Sequence, residues 1–232
     1  REAIAFSSNV YFYIVGGGFG DQKGLGITKL AEYYRKFGMG SITGINLATE
    51  QEGVVPDPEW KQKTFDDDWR LGDTYFTSIG QYGFQVTPLQ MLRAYAALAN
   101  GGQLLTPHVM KGQVSSSTDL GLNPNYLQIV HEGMRKTVIY PGGTARGLER
   151  SDVAIAAKSG TAEIGAGNAY VNSWAAGFWP YEEPRYAFIL MMDKAPRSNA
   201  LGASRIMGGV MEWMAQNRPE YLNPTTTPMI GG

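Results

Sequence analysis

Four consecutive residues, Lys158-Ser159-Gly160-Thr161, follow the apolar pair Ala156-Ala157 in what reads as a strand. A strand alternates its side chains, which sends Lys158 and Gly160 to one face and Ser159 and Thr161 to the other. Lining a groove, the two hydroxyls can bind a substrate carboxylate while the nearby ammonium adds positive potential. Gly160 keeps the wall low, so that a peptide can lie against the strand as an added strand. The Thr161 N–H can then point at a developing oxyanion. The plainer alternative is a turn or surface strand, because chance supplies a Lys-(Ser/Thr)-Gly triplet in roughly one chain in ten of this length.

A second triplet, Ser7-Ser8-Asn9, offers a hydroxyl able to shuttle a proton and an amide able to orient a substrate carbonyl. By itself it carries little, since a serine two residues before an asparagine is more often a helix cap or turn. In this order the two triplets match two of three elements found in serine acyl-enzymes that react with penicillin: Ser-x-x-Lys, Ser-Asp-Asn and Lys-Thr-Gly. The third element is missing. No serine in the sequence is followed by lysine three positions on, and no Gly-x-Ser-x-Gly elbow replaces it. Covalent catalysis needs a nucleophile within hydrogen-bond reach of its base, so this chain alone is not expected to form an acyl-enzyme.

Other candidate sites are weaker. His108, at an expected strand start after Pro107, and His131, within a helix, are the two histidines, and there is no cysteine. With no carboxylate at ligand spacing, no metal site is expected. Asp66-Asp67-Asp68 lacks the alternating oxygens of a calcium loop and reads as a solvated loop. Gly16 to Gly26 satisfies no phosphate-binding pattern and reads as a flexible connection. Tyr11, Tyr13, Trp174 and Trp179 are expected in the core, whereas Trp60 and Trp69 fall in expected loops.

The 232 residues, 43% hydrophobic and 18% charged, suffice for one large core or two modest ones. A net charge of −1 gives no electrostatic reason to expect nucleic acid as a partner. Lack of cysteine excludes disulfides and thiol catalysis but leaves the compartment open. The densest apolar run, Tyr186 to Met192, falls short of the 18 or so residues that span a bilayer. The opening Arg1-Glu2, without a methionine or signal peptide, suggests a fragment of a longer protein.

The elements that would hold the two triplets can be read along the chain. Asn9 to Val15 is apolar and stops at Gly16-Gly17-Gly18. Ile27 to Phe37 has helical spacing, with Gly38 as its stop. Thr43 to Tyr82, rich in Gly, Pro, Asp and Trp, reads as loops with one short helix. Thr87-Pro88 opens a strong helix, and a second runs from Pro124 to about Val138 behind the cap Asn123. Val153 to Ile164, Ser173 to Trp179 and Arg185 to Asp193 read as three strands, the last two joined by a turn at Tyr181 to Pro184. Gly202 to Asn217 is expected to be a terminal helix with Ile206, Val210, Trp213 and Met214 on one face. The expected architecture is α+β: a helical part over about 7–150, then a small antiparallel sheet backed by the terminal helix over about 151–217. Residues 218–232 form a loose tail.

The residues between the triplets carry a resemblance. Gly26 to Lys61 looks like the helix and loop that follow Ser-x-Asn in one family. Trp69 to Gly102 resembles its Gly-Asp-Thr, Ile-Gly-Gln, Thr-Pro-Leu-Gln and Ala-Asn-Gly-Gly runs, and Gly142-Gly143-Thr144-Ala145-Arg146-Gly147 and Lys158 to Glu163 follow in order. From about Ser7 to about Asn217 the chain resembles the C-terminal part of the transpeptidase domain of class B penicillin-binding proteins, most closely the elongation-type members. Tyr82 departs from the pattern, because many relatives have glycine after Ile-Gly-Gln; the departure is expected to alter the cleft rim.

The resemblance implies a partial penicillin-binding/β-lactamase-like transpeptidase fold and a peptidoglycan D,D-transpeptidase working through a serine acyl-enzyme. Ser7 would relay protons, Asn9 would hold the substrate amide, and Lys158 would set the electrostatics of the cleft. Ser159, Gly160 and Thr161 would form the substrate wall, with the two hydroxyls on the terminal carboxylate of D-Ala-D-Ala or of a β-lactam. The nucleophile would lie upstream of Arg1, together with the helix bearing it and two further strands. The implied partners are peptidoglycan stem peptides, β-lactams and the cell-wall elongation machinery, with no cofactor. The implied place is the extracytoplasmic (periplasmic) face of the bacterial inner membrane, the anchor lying outside this chain. Two rivals are a non-catalytic module binding stem peptides or partners, and a β-lactamase or D,D-carboxypeptidase of related fold.

Overall fold

The computed structural model describes residues 1–198 and 201–222. The fold is α+β. Eight helices are found among the described residues: α1 (Glu2–Ala5), α2 (Asn9–Gly17), α3 (Gly26–Lys36), α4 (Pro58–Phe65), α5 (Leu71–Thr77), α6 (Pro88–Ala99), α7 (Pro124–Ile139) and α8 (Ala203–Asn217). Two short pairs, β1 (Gly18–Phe19) with β2 (Gln22–Lys23) and β3 (Gln103–Leu105) with β4 (Ser117–Asp119), sit in the helical part. The main sheet is antiparallel, β5 (Ala156–Ile164), β6 (Tyr170–Trp179) and β7 (Tyr186–Pro196), in the order β5-β6-β7. None of the described helices is long and apolar enough to cross a membrane.

The sheet separates two cores. Period-two alternation puts Ala157 of β5, Ala175 of β6 and Phe188 of β7 on one face, where they pack with Leu148, Met207 and Met211 beneath α8. Ala156 and Phe178 point the other way and meet Met134 of α7, with Ile4 of α1 and Tyr95 and Leu98 of α6 around them. Both edges of this sheet are unpaired among the described residues, and β5, the strand carrying Lys158 to Thr161, forms one of them.

Local signals account for most helix starts. Thr87 and Gln90 form a reciprocal cap: Gln90 N–H donates to Thr87 Oγ1 (3.2 Å) and Thr87 N–H to Gln90 Oε1 (2.8 Å). The buried Gln90 also donates its amide to the carbonyls of Ser41 (2.7 Å) and Glu52 (2.8 Å). It therefore ties the 41–52 loop to α6. Asn123 caps α7 as expected.

Several expectations need correction. Thr43 to Tyr82 contains two helices rather than one, because Asp57-Pro58 caps α4 and the Asp73 carboxylate accepts the Arg70 N–H at the start of α5 (2.8 Å). Gly16 to Gly26 is no loose connection; β1 and β2 form a hairpin within it, and Leu25 N–H donates to the Val15 carbonyl (2.9 Å). His108 follows β3 in a loop rather than starting a strand.

The terminal helix is turned around. Ile206, Val210 and Trp213 face outward, Trp213 being 55% exposed, while Ala203, Met207 and Met211 are buried and only Met214 of the expected face joins the core. Both stripes of α8 are apolar, so hydropathy cannot choose between them. The close approach of α8 to the turn at 146–148 does: a methyl group at Gly208 would lie 2.1 Å from the Gly147 carbonyl oxygen. The helix can pack there only with Gly208 inward. Finally, residues 218–222 are not a loose tail. Pro219–Tyr221 forms a short 3-10 turn, Leu222 is buried, and Trp179 Nε1–H donates to the Tyr221 carbonyl (2.8 Å). Residues 223–232 lie outside the described residues.

Candidate active site

The amino-terminal segment reaches the β5 edge by docking on α7. Arg1 pairs with Glu132, and Ile4 packs beside Met134 and Phe178. From the same helix, the Arg135 guanidinium donates to the Ile155 carbonyl (3.0 Å) at the entry to β5. A single helix therefore holds both candidate triplets.

Ser7 lies between α1 and α2 with φ = 52°, a left-handed conformation that costs an L-residue on the order of 1–2 kcal/mol. The helix-capping role belongs to its neighbour, since Ser8 Oγ accepts the Tyr11 N–H (3.3 Å). Ser7 is thereby left to face the sheet, where Lys158 Nζ donates to Ser7 Oγ at 2.7 Å across 151 residues of sequence. The same ammonium donates to the Ser159 carbonyl (2.6 Å). That carbonyl points off the open edge of β5, and the period of a strand gives the Thr161 N–H the same outward direction.

Lys158 has no carboxylate partner among the described residues. Burial disfavours its charged form and lowers the ammonium pKa from 10.5 to about 8. Of the three N–H donors of a lysine, two are taken by Ser7 and Ser159. The site is a partly buried cation with a donor to spare.

Alternation divides the remaining groups as the strand period requires. Ser159 points to the α8 side of the sheet, and its Oγ–H donates to Thr144 Oγ1 (2.7 Å). Thr161 is exposed on the same face. A methyl group at Gly160 would meet only Trp174 Cβ, at an ordinary 3.5 Å, so glycine is not demanded here by the chain's own packing. Asn9 opens α2 with its amide exposed and without a hydrogen bond to the other candidates among the described residues. The fold thus joins Ser7, Lys158 and Ser159 by direct bonds and leaves Asn9, Gly160 and Thr161 on an open rim.

Two features escaped sequence reasoning. Thr144 follows the Pro141-Gly142-Gly143 turn, and nothing in its local pattern announced a partner 15 residues away. The other is Lys61, only 3% exposed, whose ammonium bonds Asp73 Oδ2 (2.7 Å), Asp67 Oδ2 (3.0 Å) and the Asp68 carbonyl (2.6 Å). The run Asp66 to Asp68 is therefore partly engaged with a buried cation rather than simply solvated. Trp60, in α4, and Trp69 each pack edge-on against Tyr82 (5.8 Å). Tyr82 belongs to this cluster, and its φ of 59° explains why glycine suits the position. His131 is structural, bonded to the Leu98 carbonyl (2.7 Å) and tilted against the Phe178 ring. Trp179 is buried as expected, whereas Tyr11 is 52% exposed.

Residues 1–212 match the model of the penicillin-binding protein transpeptidase domain. The chain belongs to that family. It is 30% identical to the peptidoglycan D,D-transpeptidase MrdA of Acinetobacter baumannii, an alignment covering all of this chain and 37% of the relative. It is also 30% identical to the Escherichia coli K12 protein of the same name, over 87% of this chain and 35% of the relative. Among solved structures, penicillin-binding protein PBP2 of Helicobacter pylori is 35% identical with a TM-score of 0.78, over 94% of this chain and 39% of that one. The same H. pylori protein has been solved in complex with MreC. The chain spans well under half the length of these relatives.

Proposed function

We propose that this chain forms the substrate wall and proton-relay side of a peptidoglycan D,D-transpeptidase, whose nucleophilic Ser-x-x-Lys lies in a preceding segment of the same protein. The observation that carries the reading is the Lys158–Ser7 bond: a partly buried ammonium without a carboxylate partner, joined to a hydroxyl from the far end of the chain. Such a cation is an anion site by electrostatics alone. Ser159 and Thr161 add hydroxyl donors beside it, which suits the carboxylate of a stem peptide ending in D-Ala-D-Ala or of a β-lactam.

In this reading the upstream serine attacks the penultimate D-Ala carbonyl, and the Thr161 N–H receives the oxyanion that forms. Ser7 hands the serine's proton to the departing amine of the terminal D-Ala, leaving an acyl-enzyme. An acceptor amine on a second stem peptide then attacks the ester, gives up a proton along the same path, and restores the serine hydroxyl. Asn9 holds the substrate amide at the rim, and Lys158 keeps the cleft positive. The working compartment is the periplasmic face of the inner membrane, with elongation proteins of the MreC kind as partners.

The test is covalent labelling with a fluorescent penicillin. This chain alone should take no label, and the protein extended through the upstream segment should take one per molecule. An extended, folded protein that bound D-Ala-D-Ala peptides without being labelled would instead be a binding module. Rapid release of hydrolysed drug after labelling would point to a β-lactamase.

A further inference from the structure

We infer that Thr144 is a positioning residue for the carboxylate subsite, acting through the Ser159 hydroxyl. The inference rests on the reading of Ser159 as a carboxylate donor, and it goes beyond the residues of the two triplets.

A serine hydroxyl has a single proton and a side chain that turns among three rotamers. On an exposed strand edge nothing intrinsic selects the rotamer that faces a ligand. Thr144 selects it: the two hydroxyl oxygens are 2.7 Å apart, with Ser159 O–H donating to Thr144 Oγ1. Thr144 is itself a fixed post. Its N–H donates to the Ala5 carbonyl (3.3 Å), and the next N–H, of the fully buried Ala145, donates to the Thr137 carbonyl (3.0 Å). The turn before it is packed so tightly that a methyl group at Gly143 would lie 2.4 Å from the Thr137 carbonyl oxygen. One residue thereby links the backbone two positions before Ser7 to the side chain that follows Lys158.

When a carboxylate enters, Ser159 must turn its proton toward it. The Thr144 hydroxyl can then reverse and donate into a Ser159 lone pair, which keeps the oxygen in place and strengthens its O–H as a donor through the chain. A valine at 144 keeps the shape and loses both functions. A serine keeps both.

The experiment uses the protein extended through its nucleophile and compares acylation by benzylpenicillin with acylation by its methyl ester, which presents no carboxylate. Thr144→Val should slow benzylpenicillin by up to about tenfold, the upper value of one neutral hydrogen bond, and the ester by less than about twofold. Thr144→Ser should restore the wild-type rates. In a Ser159→Ala background, Thr144→Val should have no further effect on either reagent. Equal slowing of both reagents by Thr144→Val, or failure of the serine to rescue, overturns the assignment. The parallel Ser159→Ala variant separates the two levels of inference. If it leaves the ratio of the two rates unchanged, the carboxylate reading of Ser159 falls and takes Thr144 with it. If it shifts the ratio while Thr144→Val does not, only the Thr144 assignment is lost.

Discussion

The molecule holds two lysines out of water in opposite electrostatic circumstances. Lys61, in the helical part, is drawn down by burial, but the Asp73 and Asp67 carboxylates more than offset this and raise its pKa above the ordinary value. Lys158, on the sheet edge, meets a hydroxyl and a carbonyl instead of an anion, and burial dominates. A buried charge that is fully paired holds a fold together. One left without its counter-ion is, in the function proposed above, the cation that a ligand carboxylate completes. The same residue type is thus paired within the scaffold at one place and, at the other, is the cation of the proposed site.

Breaking the scaffold lysine should have the larger consequence. Lys61→Met strands the Asp73 carboxylate, which is only 14% exposed, and should lower the melting temperature by on the order of 10 °C. A thermal melt within about 2 °C of wild type would remove the distinction drawn between the two sites.

Lys158→Met should do the reverse. In the protein carrying the nucleophile, β-lactam acylation should fall on the order of 10²-fold, as when a preorganised electrostatic group is lost. Stability should rise. The folded pKa of about 8 lies below the ordinary 10.5, so between those values the unfolded chain holds more protons and wild-type stability climbs with pH. The stabilisation by methionine should therefore be full below about pH 8 and gone near pH 10.5. A difference in melting temperature that is constant across this window would show that Lys158 titrates normally.

The smallest effect sharpens the boundary of the scaffold. Tyr82→Gly relieves a left-handed tyrosine, worth about 1 kcal/mol, and gives up two edge-on contacts worth about 0.5–1.5 kcal/mol each. The net loss in denaturant unfolding should be on the order of 2 kcal/mol, with acylation by penicillin unchanged. A changed acylation rate would return Tyr82 to the cleft rim.

Much of the frame was legible because its signals are local. The Thr87-Pro88 and Asn123-Pro124 caps, the hairpin turn at Tyr181 to Pro184 and the alternation of β5 each involve residues a few positions apart. Helix α4 has a comparable cap in Asp57, and α5 starts on Asp73 accepting the Arg70 N–H, but both signals lie in a composition dominated by loop formers. The rotation of α8 was not legible at all, since both of its stripes are apolar and the deciding contact, Gly208 against Gly147, is between separate elements. For the site, the alternation of Lys158 and Ser159 was readable from strand geometry, whereas Thr144 was not.

Residue types and short-range spacing settled where the helices and strands of the main frame fall and which side chains can carry chemistry, because a cap or a strand period is complete within a handful of neighbours. Tertiary structure alone decided which lysine meets carboxylates and which face of α8 is buried, and it supplied the direct bond between Ser7 and Lys158 across 151 residues, whose shared cleft only the family resemblance had implied. Those outcomes depend on charge, volume and burial summed over distant segments, and no local pattern encodes that sum.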